Sequence, residues 1–120
     1  MALRALRGAT TLDADTREDM TSRVVELLET MFERNDIAHD DVVSVIFTAT
    51  ADLTAMFPAE AARKLGIADI PLMCAAEIDV DGATQRCVRV MMHLESSRTA
   101  SDMRHVYLRG AKGLRDDLPE

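Results

Sequence analysis

Apolar residues fall at helical spacing in one stretch of the chain and at strand-like spacing in most of the others. Met20, Val24, Leu27, Leu28 and Met31 recur every three or four positions, which predicts a core-facing helix over about 15–34, closed near Asn35. Asp15 followed by Glu18 reads as a capping-box variant at its start. Residues 2–11 alternate loosely and end in Gly8-Ala9-Thr10-Thr11, as in a first strand. Val42 to Phe47 is β-rich and apolar on both faces, as in a central strand. Phe57-Pro58 opens a short helix with Pro in its first turn, and Gly66 closes it. Ile70 to Cys74 reads as a third strand, Asp81-Gly82 as a tight turn, and Thr84 to Glu95 as a fourth strand. On that fourth strand Cys87, Arg89, Met91 and His93 share one face, and Val88, Val90, Met92 and Leu94 the other. A short strand follows at 105–108. The stretch 110–120 carries Gly110, Gly113 and Pro119 and is expected to form a mobile tail. With no internal repeat and no linker, residues 1–120 read as a single domain.

Composition narrows the function. A chain of 120 residues, 48% hydrophobic and 29% charged, is long enough for a real core and has an ordinary soluble balance. The net charge of −7 argues against nucleic acid, which rewards basic surface. Four aromatics (Phe32, Phe47, Phe57, Tyr107) leave little for base stacking. No apolar run is long enough to span a bilayer, and Met1-Ala2-Leu3-Arg4 leads into a strand rather than a signal peptide. Cys74 and Cys87 lack a C-x-x-C spacing and are expected to be reduced thiols in a cytoplasmic protein. Arginines outnumber lysines twelve to two, which suits planar, bidentate carboxylate recognition but also follows from genomic base composition.

Three ionisable residues sit inside apolar, strand-like runs: Arg7, Glu77 and Arg89. Buried charge is costly unless it is paired or meets a charged ligand. Glu77-x-Asp79-x-Asp81-Gly82 imitates half of an EF-hand loop, but Val88 stands where the bidentate Glu belongs, and the flanks are strands. Asp79 and Asp81 are therefore read as turn residues. His39, His93 and His105 are scattered, so no metal site is expected. Cys74 lacks a local base, and no glycine-rich phosphate loop or G-x-S-x-G elbow is present. What remains is Arg7, Arg63, Arg89, Arg115, Glu77 and Tyr107: a carboxylate-binding site, or scattered surface charge.

A family resemblance bears on that choice. Arg4-Ala5-Leu6-Arg7-Gly8-Ala9-Thr10-Thr11, Ala49-Thr50-Ala51-Asp52-Leu53, Phe57-Pro58-Ala59, Pro71-Leu72-Met73-Cys74, Glu77-Ile78-Asp79-Val80, Cys87-Val88-Arg89-Val90-Met91-Met92 and Arg104-His105-Val106-Tyr107-Leu108 follow one another in an order that resembles the monofunctional, AroH-type chorismate mutases. The resemblance runs from about residue 3 to 118. It implies a mixed α/β (α+β) domain, a mixed sheet packed by one long and one short helix, assembled as a homotrimeric pseudo-α/β-barrel with active sites between subunits. It also implies chorismate as substrate, prephenate as product, a place in phenylalanine and tyrosine biosynthesis, and no metal or cofactor.

By the same resemblance Arg89 matches the cation at the breaking ether oxygen, Arg7 a carboxylate-binding arginine, and Tyr107 a neutral donor beside it. Glu77 matches the acceptor of the ring hydroxyl. Cys74 matches a residue lining the pocket near that hydroxyl. Phe57, Leu72 and Leu114 match apolar walls, and Arg63 and Arg115 peripheral cations. Two positions depart from the family pattern. Glu60 stands where a basic residue is expected at the pocket mouth, and is expected to weaken substrate capture or to pair with Arg63. Met73 stands where a hydroxyl residue is expected. The rival readings are a non-catalytic ligand-binding trimer on this architecture and a relative of the trimeric reactive-imine deaminases.

Overall fold

The computed structural model describes residues 1–114. Five strands and two helices run β1 (Ala2–Thr11), α1 (Arg17–Asn35), β2 (Val42–Ala49), α2 (Pro58–Ala62), β3 (Leu72–Ala76), β4 (Cys87–Ser96) and β5 (Val106–Tyr107). They make one mixed sheet in the order β3-β2-β4-β1-β5. β4 lies antiparallel between β1 and β2; β3 joins β2 in parallel through the α2 crossover, and β5 joins β1 in parallel.

One face of the sheet is covered. Leu6 of β1, Val45 and Phe47 of β2, and Val88, Val90, Met92 and Leu94 of β4 meet Met20, Val24, Leu27, Leu28 and Met31 of α1 in a single core. Gly8 is where α1 comes nearest: a Cβ there would lie 2.5 Å from Met31 Sδ. The opposite face carries Leu3, Ala5, Arg7, Ile46, Thr48, Met73, Arg89 and Met91, and no described helix covers it. Leu3 and Met73 are 57% and 62% exposed there.

The elements depart from the sequence reading in informative places. The N-cap of α1 is Thr16, not Asp15: its hydroxyl accepts from Asp19 N at 3.1 Å. Asp19 in turn accepts from the amides of Asp13 and Ala14, while Thr16 N donates to Ala14 O, so the reciprocal half of a capping box is displaced to the residues before the cap. Asp15 is drawn away to the loop after β2. The third strand begins at Leu72 because Ile70 is bound back to Ile67 in a turn, and runs on to Ala76 beside Ala49. The fourth strand begins at Cys87, not Thr84. Asp52 grips the Arg86 amide at 2.9 Å, and Arg86 sits at φ 46°, turning the chain before pairing starts. Asp81-Gly82 does turn, with Gly82 at φ 82° and Ala83 N bound to Val80 O, but it closes no hairpin because β2 lies between β3 and β4.

The expected short strand at 105–108 narrows to Val106–Tyr107. His105 Nδ1 accepts the Arg7 amide at 2.9 Å, a side chain standing in for the backbone of β5. Residues 110–114, expected to belong to the tail, carry defined contacts. Gly110 N donates to Thr11 Oγ1, Ala111 is fully buried, and Leu114 packs on Ala9, Tyr107 and Ala111. Arg115 and the rest of the expected tail, 116–120, lie outside the described residues. Among the described residues no helix is long and apolar enough to cross a membrane.

Candidate active site

Sheet register gathers the charged residues on the uncovered face. Arg89 of β4 stands opposite Ala9 of β1 on one side and Thr48 of β2 on the other. Ala9 in turn stands opposite Tyr107 of β5. The small Ala9 side chain leaves room between the Arg89 guanidinium and the phenol. Arg7 lies two residues before Ala9, so alternation returns it to the same face. Glu77 follows β3, its amide bound to Ala49 O at 3.0 Å, which turns its carboxylate back over the sheet. Arg7, Thr48, Glu77, Arg89 and Tyr107 line one hollow of about 200 Å³.

Arg89 Nε donates to Glu77 Oε1 at 2.6 Å, with the arginine side chain 45% and the glutamate 19% exposed. Two cations and one carboxylate leave the hollow positive by one charge. Tyr107 is buried against Ala9 and Ala111. Thr48 Oγ1 is buried without a hydrogen-bond partner among the described residues. Cys87 lies two residues from Arg89, and burial pushes its thiol above the ordinary range, against the opposing pull of the Arg89 charge.

A second hollow of about 540 Å³ opens between the loop after β2, the start of α2 and β3. Phe57, Met56, Cys74 and Ala76 give it an apolar wall; Arg17 and Glu60 are its charged lining residues. Phe57 is 70% exposed, so little else in the chain covers it. Asp15 fixes this loop, accepting from the amides of Thr54 and Ala55 and from the Thr54 hydroxyl. That hydroxyl, with the amides, holds the Asp15 carboxyl below its ordinary value.

The expected site residues therefore divide. Arg7, Glu77, Arg89 and Tyr107 come together in the smaller hollow; Phe57 and Cys74 come together in the larger one. Leu72 is half-buried against the core, and Met73 is exposed on the uncovered face. Arg63 is exposed on the single turn after α2 and lines neither hollow; Leu114 rests on the Tyr107 cluster. Glu60 pairs with Arg17, not with Arg63. Thr48 was not singled out from sequence, and Arg17 was expected to be an exposed residue of the first helix, a neutral control where alanine does little. Alternation with Phe47 puts Thr48 on the Arg89 face, a usable signal, whereas nothing local separates Arg17 from the other arginines. Among the described residues no three His, Cys, Asp or Glu side chains converge as a metal site would require.

A family model described as chorismate mutase type I matches residues 3–118. The chain belongs to the type I chorismate mutase family. Its curated relatives include the chorismate mutases AroH of Bacillus subtilis (strain 168), 42% identical over 98% of this chain and 94% of that protein, and of Thermus thermophilus, 44% identical over 97% and 96%. A solved chorismate mutase from Clostridium thermocellum has the same fold: the TM-score is 0.88, at 47% identity, over 90% of this chain and 96% of that one. The mixed five-stranded sheet with one long and one short helix is thus the architecture of a type I chorismate mutase.

Proposed function

We propose that this chain rearranges chorismate to prephenate in a cleft completed by a second copy of itself. The observation that carries the reading is the hollow uniting Arg7, Glu77, Arg89 and Tyr107. In the pericyclic [3,3] shift an ether C–O bond breaks as a C–C bond forms, within one molecule. No proton is transferred and no enzyme intermediate forms, so a site without a nucleophile–base pair is sufficient. The enzyme has two tasks: to hold a flexible dianion in its compact reactive conformer, and to stabilise negative charge growing on the ether oxygen.

Arg89 takes the ether oxygen and a carboxylate, for which a planar guanidinium with several donors is suited. Arg7 takes a carboxylate, with the Tyr107 hydroxyl as neutral donor. Glu77 accepts the ring hydroxyl and favours positive charge on the ring. In the free chain Glu77 is paired with Arg89, so substrate must part the pair and take one partner on each side. Phe57 and Cys74 line the opposing wall; by the family resemblance Leu72, Met73 and Leu114 are proposed as further substrate contacts, and Arg63 and Arg115 as peripheral cations.

Assembly into a cyclic homotrimer is part of the proposal. Two features support it: the expected set is divided between two hollows, and an apolar sheet face stands uncovered beside one of them. A repeated heterologous interface closing on itself would make three equivalent sites. The setting is the cytoplasmic branch towards phenylalanine and tyrosine. Pure protein is expected to abolish the ultraviolet absorbance of chorismate with release of prephenate, and to scatter light as three chains. Absence of turnover refutes the reaction, and a fully active monomer refutes the shared cleft.

A further inference from the structure

We propose that Arg17 is a substrate-capturing cation of the larger hollow, held in reserve by Glu60. The inference rests on the reading that this hollow is one wall of the chorismate site. Its other lining groups are uncharged: small or apolar side chains, a thiol and threonine hydroxyls. Among the described residues, the Arg17–Glu60 pair supplies the formal charge that this wall can present to a dianion.

Glu60 alone would repel a dicarboxylate, so the wall works only if Arg17 outweighs it. Three observations say that it does. Arg17 engages Glu60 through a single terminal nitrogen, and a guanidinium has five N–H donors in a fixed fork. A ligand carboxylate therefore finds donors that Glu60 has not taken. Next, the side chains are 60% and 38% exposed, where water and salt weaken an ion pair, so the pair opens readily. Finally, Arg17 is the first residue of α1, where the helix dipole disfavours a cation, and its neighbours Glu18 and Asp19 are the acidic residues suited to a first turn. Helix stability does not account for an arginine at this position; a site beside it does. Glu60 compensates the cation when no substrate is present. In this chain the mouth cation expected at position 60 is supplied from position 17.

A kinetic double-mutant cycle tests this. Arg17→Ala is expected to raise the KM for chorismate about three- to sixfold, the scale of one half-exposed charge contact, with kcat changed less than about twofold. The rise should shrink as ionic strength increases. Arg17→Lys should retain most of the wild-type KM, and circular dichroism should show every variant folded. The deciding comparison is Arg17→Ala in a Glu60→Ala background. Loss of a capturing cation still raises KM there, because its contact is with substrate. A residue that only neutralises Glu60 has nothing left to neutralise, and an unchanged KM in that background overturns the proposal. Wild-type turnover with a null cycle refutes this inference alone; absence of wild-type turnover refutes the chorismate reading and this inference with it.

Discussion

Replacing Arg89 with Gln separates what the guanidinium contributes to the fold from what it contributes to the reaction. For the fold the loss is small. The bond to Glu77 at 2.6 Å is short, but the arginine is nearly half-exposed, and pairs of that kind contribute about 0.2–1 kcal/mol. For the reaction, on the mechanism proposed above, the loss is expected to be large. The hollow drops from one net positive charge to none, at the moment when negative charge develops on the ether oxygen. The ground-state oxygen is nearly neutral, so the cation binds the transition state better than the substrate, and such preference accelerates a reaction. Loss of one oxyanion-type donor costs about 10²–10³ in kcat, equivalent to roughly 2.7–4 kcal/mol. Urea unfolding and steady-state kinetics on the same preparation should therefore disagree: a shift within about 1 kcal/mol in stability against at least a hundredfold fall in kcat, with KM much less affected. Arg89→Lys should recover part of kcat, since an ammonium keeps the charge and loses the fork. Arg17 is unsuitable as a control because it lines the other hollow. Arg34, exposed on the last turn of α1, serves instead, and Arg34→Ala should leave kcat unchanged. If Arg89→Gln raised KM alone and left kcat near wild type, Arg89 would be a carboxylate anchor and the electrostatic mechanism would be wrong.

Asp15→Asn should destabilise the chain at pH 7 by an amount that vanishes on acidification. The folded carboxyl lies below its ordinary 3.8, so its contribution is fully present above that value and is lost as pH falls through the folded one; a wild-type-minus-variant stability difference that stays constant in urea melts from pH 7 to 3 would refute the clamp. Gly8→Ala should cost about 1–3 kcal/mol through overpacking, because the new methyl meets Met31 Sδ at 2.5 Å and Leu27 Cδ1 at 3.2 Å. Met31→Ala is itself costly because it empties part of the core, so the test is the cycle: Gly8→Ala should cost less in the Met31→Ala background than in the wild type, and an equal cost in both would place the close approach elsewhere.

How much was legible in the sequence follows from how local each signal is. The five apolar positions of α1 and the alternation of β4 are local periodicities, and both elements came through with their faces right. The boundaries that moved were set by partners far along the chain. Asp52 holds Arg86 out of β4, and Thr54 takes Asp15 from the helix cap. A capping box read over four residues cannot weigh a competitor 39 positions away. Strand order was beyond the turn signal for the same reason: Asp81-Gly82 states that the chain turns, not which strand it turns towards.

The candidate site shows the same division in terms of charge. The expectation was that Arg7, Glu77 and Arg89 are charges that burial makes costly. Among the described residues the buried cation is Arg23, 6% exposed, which donates to Thr11 O and pairs with Asp13 Oδ2 at 2.7 Å. Its place between Ser22 and Val24 on a core-facing helix gave no warning, because helical spacing alone does not tell a snorkelling arginine from a buried one. Arg7 and Glu77 are half-buried and Arg89 is exposed, on the sheet face that no described helix covers. Arg89 has a carboxylate for a partner only through Glu77, which reaches back from beyond the end of β3. Two arginines and a phenol placed by strand register, with Glu77 reaching in from beyond β3, line one hollow on a face left open beside exposed Leu3 and Met73, which is the arrangement the proposed site requires. Register provides the rigidity: adjacent strands fix the spacing of Arg89, Ala9 and Tyr107 through backbone pairing, before any side chain contributes. A reaction that needs an oriented dianion and no moving proton makes its largest demand on that rigidity.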